Sequence, residues 1–274
     1  MLWLTWRQHR AQTLVTVVLI AGAALLLVLD AVPFVLVKTL PVVPVFVGLF
    51  WGVPLLAREY ERGTDRLVWT QSVPRSRWLV VKFTVLGTAV VLAGLAFGAV
   101  VLGWTASADA PVDRFSDEVF GVSGVVAGAW FLAVFTLGAA SGAVLRRMLP
   151  AMAVTTAVFA GLVVGAYLAR GHYAEPEVAL SGAHGMAVPA DALVTGTGVV
   201  GPAGDLLSWD DAMSACAGAE PVGCMRDRGY EQQYTLYQPA DRYWRFQWTE
   251  TGLLLVIALV LAGVTARQVV NRSR

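Results

Sequence analysis

Leu56-Ala57-Arg58-Glu59-Tyr60-Glu61-Arg62-Gly63-Thr64-Asp65-Arg66-Leu67-Val68-Trp69-Thr70-Gln71-Ser72-Val73-Pro74-Arg75-Ser76-Arg77-Trp78 is a charged island between two long apolar runs. It holds five arginines and three carboxylates, with the signs interleaved from Arg58 to Arg66. Arg58 to Arg62 can prolong a membrane helix into water, Gly63 closes that helix, and Thr64 or Asp65 caps a short helix lying across the membrane face. Such a helix suits a groove on a soluble partner. The plainer alternative is a cytosolic loop carrying positive-inside arginines, which accounts for the basic residues but not for Glu59, Glu61 and Asp65 among them. Trp69 and Trp78 stand where a membrane interface would hold them.

The apolar runs on either side set the class. Of the 274 residues 57% are hydrophobic and 14% charged, and the mean hydropathy is +0.64, against roughly 25% charge in soluble globular domains. Six runs approach the ~20 residues that a hydrocarbon core requires: 14–29, 42–57, 79–104, 119–145, 149–168 and 248–264. Pro41, Pro44 and Pro54 predict a kinked second span, since proline frees a carbonyl that neighbouring helices must satisfy. The first run superficially matches a cleavable signal peptide. Apolar residues 32–37 follow it, however, with no clear small-x-small site, so a retained anchor is expected, preceded by an interfacial helix over 1–12 that carries Trp3, Trp6, Arg7 and Arg10.

With six spans both termini share a side, and the basic residues choose it. Residues 1–12 hold two arginines, the 58–82 loop six basic residues, Arg146-Arg147 two and the C-terminus three, which is thirteen of the twenty in the chain. The short opposite turns hold only Lys38 and Arg114, so the termini are expected in the cytoplasm. Residues 171–247 then form an external cap, a polar segment of 77 residues with ten carboxylates against four arginines. Ser208-Trp209-Asp210-Asp211 reads as a capping box opening a helix that carries Cys216. Cys216 and Cys224 read as one disulfide, the alternative being two free thiols in a reducing loop. Tyr234, Tyr237, Tyr243, Trp244, Phe246 and Trp248 gather before the last span as an outer aromatic belt, or as a cleft for substrate.

The chemistry that is missing narrows the function. There is no G-x-x-x-x-G-K-[ST], so a cradle for ATP has to come from another chain. His172 and His184 with Cys216 and Cys224 match no zinc spacing, and no metal site is expected. A net charge of +1 offers no case for nucleic acid. Asp30 and Lys82 lie at span ends, and no ionisable residue is placed at mid-membrane depth, unlike ion-coupled carriers or intramembrane proteases. The G-x-x-x-G pairs Gly48/Gly52, Gly94/Gly98, Gly124/Gly128, Gly138/Gly142 and Gly161/Gly165 favour tight helix packing, although 27 glycines would give several such pairs by chance.

Residues 57–64, with Trp69-Thr70-Gln71-Ser72, resemble the first cytosolic loop of ABC-2 type permease subunits. The opening Trp3-Leu4-Thr5-Trp6-Arg7-Gln8-His9-Arg10 resembles actinobacterial members of that group, and Tyr237-Gln238-Pro239-Ala240-Asp241-Arg242 extends the likeness into the long loop. The resemblance implies an all-α membrane protein: six transmembrane helices, an N-terminal interfacial elbow, a cytosolic coupling helix within 58–78 and a small extracellular cap between helices 5 and 6. It implies that Arg58, Glu59, Glu61, Arg62, Gly63, Thr64, Asp65, Arg66 and Trp69 meet an ABC ATPase. Two such subunits would bind ATP and Mg for a dimer of permeases exporting a lipid-like, amphipathic or antibiotic-like cargo. This chain would itself be no enzyme. From a different class, a membrane-anchored sensor or assembly protein with a ligand-binding cap is the rival reading.

Overall fold

The computed structural model describes residues 37–61, 63, 75–106, 113–181, 188–189, 191–217, 220–230 and 232–271, together with Gly22. The elements in chain order are α1 (Leu40–Glu61), α2 (Arg75–Thr105), α3 (Val126–Leu145), α4 (Met148–Arg170), β1 (Glu177–Ser181), β2 (Leu193–Val200), β3 (Leu206–Ser208), α5 (Trp209–Ala215), α6 (Pro221–Asp227), β4 (Gln232–Gln238) and α7 (Tyr243–Asn271). The chain divides into two compact units, residues 1–167 with 247–274, and residues 168–246.

The first unit is a helix bundle. Among the described residues, five helices are long and apolar enough to cross a membrane: α1, α2, α3, α4 and the last helix, counted from Ala240 to Val270. The expected span over 14–29 and the interfacial helix with Trp3, Trp6, Arg7 and Arg10 lie outside the described residues. The kink expected in α1 takes a specific form. The helix starts as a 3-10 turn over Leu40–Val42, becomes α-helical over Val43–Val47, widens to a π turn over Gly48–Gly52 and resumes as an α-helix over Val53–Glu61. Pro54 has no N–H to donate one turn back, and the wider turn just before it accommodates that missing bond. The fourth span starts later than its apolar run suggests. Residues 113–125 form turns, including a 3-10 turn over Phe120–Val122, and α3 begins only at Val126.

Helix α3 is the centre of the bundle: 83% of its apolar window is buried, against 17% for α4 and 22% for the last helix. Glycines explain how it is reached. Its C-terminal half carries Gly138 and Gly142, and α1 crosses there with Gly48 and Gly52 so closely that a Cβ on Gly48 would sit 2.7 Å from the Val134 carbonyl. At its other end Gly124 and Gly128 meet Gly94 and Gly98 of α2, and the Gly124 N–H donates across to the Gly98 carbonyl at 2.9 Å. Gly98 and Gly138 are the tightest of these helix contacts, since a methyl on either would run into the carbonyl of Gly124 or Gly48 respectively. Four of the five G-x-x-x-G pairs therefore meet backbone from another segment, and the fifth, Gly161/Gly165 of α4, meets nothing within 4 Å. Large side chains fill the wider gaps: Phe97 against Phe131, Phe83 against Phe135, and Trp130 edge-on to Phe159 of α4.

The second unit corrects the all-α expectation. It is built on a four-stranded antiparallel sheet in the order β1-β4-β2-β3, with α5 and α6 between β3 and β4. The aromatic and β-branched residues of Tyr234-Thr235-Leu236-Tyr237 suit a strand, and β4 lies inside the sheet between β1 and β2. Gly198 of β2 lets the Tyr234 ring lie flat across the strand, where a Cβ would stand 2.6 Å from that ring. The capping box forms as expected: Ser208 Oγ accepts from the Asp211 N–H at 3.1 Å at the start of α5. Cys216 ends that helix and is bonded to Cys224 of α6.

Helix–helix contact at backbone distance makes a testable asymmetry. Gly98→Val forces α2 off α3 and should cost roughly 1 to 3 kcal/mol, the usual range for overpacking. Gly161→Ala meets open space and removes a flexible residue from a helix, so it should leave the melting temperature unchanged or raise it. Thermal unfolding of the purified chain in detergent checks both; equal losses would reject the assigned packing.

Candidate functional site

The end of α1 is where the charged island leaves the bundle, and its root is fixed to three other helices. The Glu59 carboxylate takes an ion pair from Lys82 Nζ of α2 at 2.8 Å, and both side chains are largely shielded, at 23% and 9% exposure. The same ammonium lies 4.1 Å from the centre of the Trp78 ring, one turn back on α2. Glu61 accepts the Met148 N–H at 2.8 Å, so its carboxylate satisfies an open donor in the first turn of α4, where the helix dipole favours negative charge. The Arg146 guanidinium stands 5.2 Å from the Tyr60 ring. Arg146 closes α3 in the left-handed region at φ 56°, where glycine would be the usual choice, and its N–H bonds the Gly142 carbonyl.

Three consecutive residues, Glu59, Tyr60 and Glu61, thus touch α2, the end of α3 and the start of α4 in turn. The island's other described members behave differently. Arg58 is exposed. Gly63 has φ +63° and its N–H reaches the Tyr60 carbonyl at 3.2 Å, which closes α1 as its position after the charged turn predicts. Arg62, Thr64, Asp65, Arg66 and Trp69 lie outside the described residues. Both carboxylates bond to the bundle's own helices, and Glu61 does so while remaining exposed. Lys82, Trp78 and Arg146 are the members that reading the sequence alone did not join to the site. The i, i+4 spacing of Trp78 and Lys82 and the position of Arg146 straight after an apolar run were the available signals.

In the second unit the Tyr237–Arg242 segment makes a clasp. Arg242 Nη1 donates to Gln238 Oε1 at 2.8 Å and to the Glu175 carbonyl at 2.7 Å, while Nη2 pairs with Glu177 Oε1 at 2.8 Å. Tyr237 donates its hydroxyl to Glu177 Oε2 at 3.2 Å, and Gln238 Nε2 donates to the Ala174 carbonyl at 2.7 Å. Desolvation, then the bond to Glu177 and its negative charge, hold the Tyr237 phenol above its ordinary range, with Arg242 opposing. The aromatic residues ahead of the last span divide: Tyr243 and Phe246 are buried, Trp244 and Trp248 exposed. Among the described residues, no group of three or more His, Cys, Asp or Glu side chains could hold a metal ion.

A bundle of apolar helices gathered on a glycine-lined centre, with a charged loop rooted at one end, defines a multi-pass membrane protein of the permease kind. The chain belongs to the ABC-2 membrane transporter related family, whose model matches residues 27–170 and so takes in the charged island and helices α1 to α4. Membership implies a membrane setting and an ABC ATPase partner. No curated protein and no solved structure matches the chain.

The ion pair at the root gives a direct prediction. Glu59→Ala leaves the Lys82 ammonium without this partner in a shielded place and should cost roughly 1 to 3 kcal/mol. Lys82→Met in the same chain should recover part of that loss, which a double-mutant cycle on thermal or chemical unfolding measures. Strict additivity would mean that the pair contributes nothing.

Proposed function

We propose that this chain is the membrane-spanning subunit of an ABC-2 type exporter, driven by a separate ABC ATPase that docks on the loop over 58–78. The observation that carries the proposal is the root of that loop, where Glu59, Tyr60 and Glu61 are tied to α2, α3 and α4 in succession. A load that arrives at Glu59, Tyr60 and Glu61 reaches three helices through contacts of a few ångströms. Docking then falls to exposed groups such as Arg58 and to the segment beyond Gly63, while the two carboxylates transmit. ATP and Mg belong to the partner, and the permease works as a dimer with two ATPase subunits.

The end of the bundle that carries this root is rich in basic residues, Arg58, Lys82, Arg146 and Arg147 among them, which supports its placement in the cytoplasm with both termini. Residues 171–247 would then be extracellular, in keeping with the Cys216–Cys224 disulfide. The apolar side chains of the bundle suit a lipid-like, amphipathic or antibiotic-like cargo. The experiment reconstitutes the chain with an ABC ATPase that copurifies with it in mild detergent. Arg58→Glu and Gly63→Leu should each leave a monodisperse, membrane-inserted chain while cutting cargo-stimulated ATP hydrolysis at least roughly tenfold, equivalent to about 1.4 kcal/mol of coupling. If no ATPase copurifies in mild detergent, or if both variants retain the stimulation, the loop is not the coupling element. Cysteines at Ser76 and Ser273 should label only in permeabilised cells, and one at Ser181 in intact cells; labelling of Ser76 from outside would reverse the orientation.

A further inference from the structure

Far from the charged root, at the end of the bundle where α3 begins, sits a polar cluster that the coupling role does not use. Glu250 is 1% exposed and Gln247 is fully buried, one turn apart on α7. Glu250 Oε1 accepts the indole N–H of Trp130 on α3 at 2.9 Å. Gln247 Oε1 accepts the Val126 N–H, in the first turn of α3, at 3.0 Å, and its Nε2 donates to the Phe120 carbonyl at 3.2 Å. Glu250 is thus an ionisable side chain three residues into the last predicted span, near its end and not at mid-membrane depth.

We infer that Glu250, Gln247 and Trp130 form a clamp holding the first turns of α7 against α3, and that releasing it is the step that opens the bundle between these two helices. The packing of α3 supports this assignment. Against α1 and α2 its backbone is approached directly at glycine, a contact that cannot loosen without losing dispersion along a whole helix face. Against α7 the contact runs through side chains instead: Leu254 and Ala258 join the Trp130, Ala129, Ala133 and Phe159 cluster, while the opposite side of α7 exposes Leu253, Val256, Leu259 and Val260. Apolar packing alone would hold α7 indifferently to small rotations. A hydrogen-bonded carboxyl group in a water-poor place holds best with its donors aligned, and losing the Trp130 donor weakens its link to α3. The three bonds thus give α7 one preferred seat on α3 and a defined point of release. The clamp deepens the permease reading, since an opening here would face apolar surroundings suited to amphipathic cargo, but its first test does not need an ATPase.

That test places a cysteine at Ala129, a buried residue on α3 in the same cluster, in the full chain in lipid nanodiscs. The native cysteines are bonded to each other, so the new thiol is the one available to a water-soluble alkylating reagent. With the wild-type clamp and with Glu250→Gln, which keeps an acceptor for Trp130, alkylation should be slow. Glu250→Ala and Trp130→Phe should each speed it roughly tenfold, the loss of a single buried hydrogen bond. Trp130→Phe preserves most of the ring, so a role in packing alone predicts no change there, and unchanged rates in both variants would overturn the clamp. As a second measurement that leaves the three clamp residues in place, cysteines at Ala129 and Leu254, both in the same cluster, are cross-linked in the ATPase-bound complex. Transport should stop while basal ATP hydrolysis continues. Transport that persists with the link in place would equally overturn the proposal, whereas a complex that never forms would count against the ATPase reading and leave the alkylation result to decide the clamp.

Discussion

The closeness of α1 and α2 to α3 is the constraint on which the bundle depends. In a membrane the lipid is as apolar as the helices, so burying leucine against leucine gains little, and association rests on dispersion and on hydrogen bonds between backbones that come very near. That nearness exists only where side chains are missing on both partners. Gly48, Gly52, Gly138 and Gly142 supply it at one end of α3, and Gly94, Gly98, Gly124 and Gly128 at the other, with a backbone hydrogen bond from Gly124 to Gly98 as its signature. Once α3 is gripped at both ends by small residues, the aromatic side chains between them have one arrangement left, and the helix ends arrive in a fixed register. The root of the charged loop is a product of that register. Glu61 reaches the first turn of α4, and Arg146 reaches Tyr60, because α1 and α3 have already been locked together a few turns away.

In the proposed mechanism the two ends of the bundle have opposite tasks. At the charged end an ion pair, a cation–π contact and a carboxylate on a helix start tie four helix ends together, so that a displacement of the loop becomes a displacement of the bundle. At the other end α7 is held by two hydrogen bonds to α3, by one to the turn that precedes it and by side-chain packing, an attachment that can be broken and remade. A transporter powered from outside its membrane domain needs both: a stiff input and a seam able to part. A sensor would need the stiff input as well, but the seam within the apolar bundle has a use only if something passes.

Much of this was legible in the residues, and the failures are instructive. Hydropathy located α2 and α4 closely because nothing in their runs competes with helix. It placed the start of the fourth span too early, since Val119 to Val125 are as apolar as the helix they precede yet fold as turns ending at Gly124, whose φ of 61° suits glycine. Gly63 was read correctly for the same local reason. The pairing of Glu59 with Lys82 was not, because 23 residues separate the two in sequence and only the packing of α1 and α2 on α3 brings them to 2.8 Å. The bond between Glu250 and Trp130 was not legible, because 120 residues separate the two in sequence. The sheet of the second unit was missed for a plain reason: its strands are short, separated by long polar connections, and β1 and β4 lie 52 to 60 residues apart along the chain where they pair at Ser181–Gln233 and Glu177–Tyr237.

The claim that ties these observations together is that the exposed side of the charged loop is where the ATPase sits. A photo-crosslinking amino acid at Arg58, compared with one at Trp248 near the clamp, tests it in intact cells; both native side chains are exposed, and the two positions belong to opposite ends of the bundle. Irradiation should yield an adduct of this chain with the ATPase from position 58 and none from position 248. An ATPase adduct from position 248, or its absence at position 58 and at each of its exposed neighbours in the loop, would contradict the account.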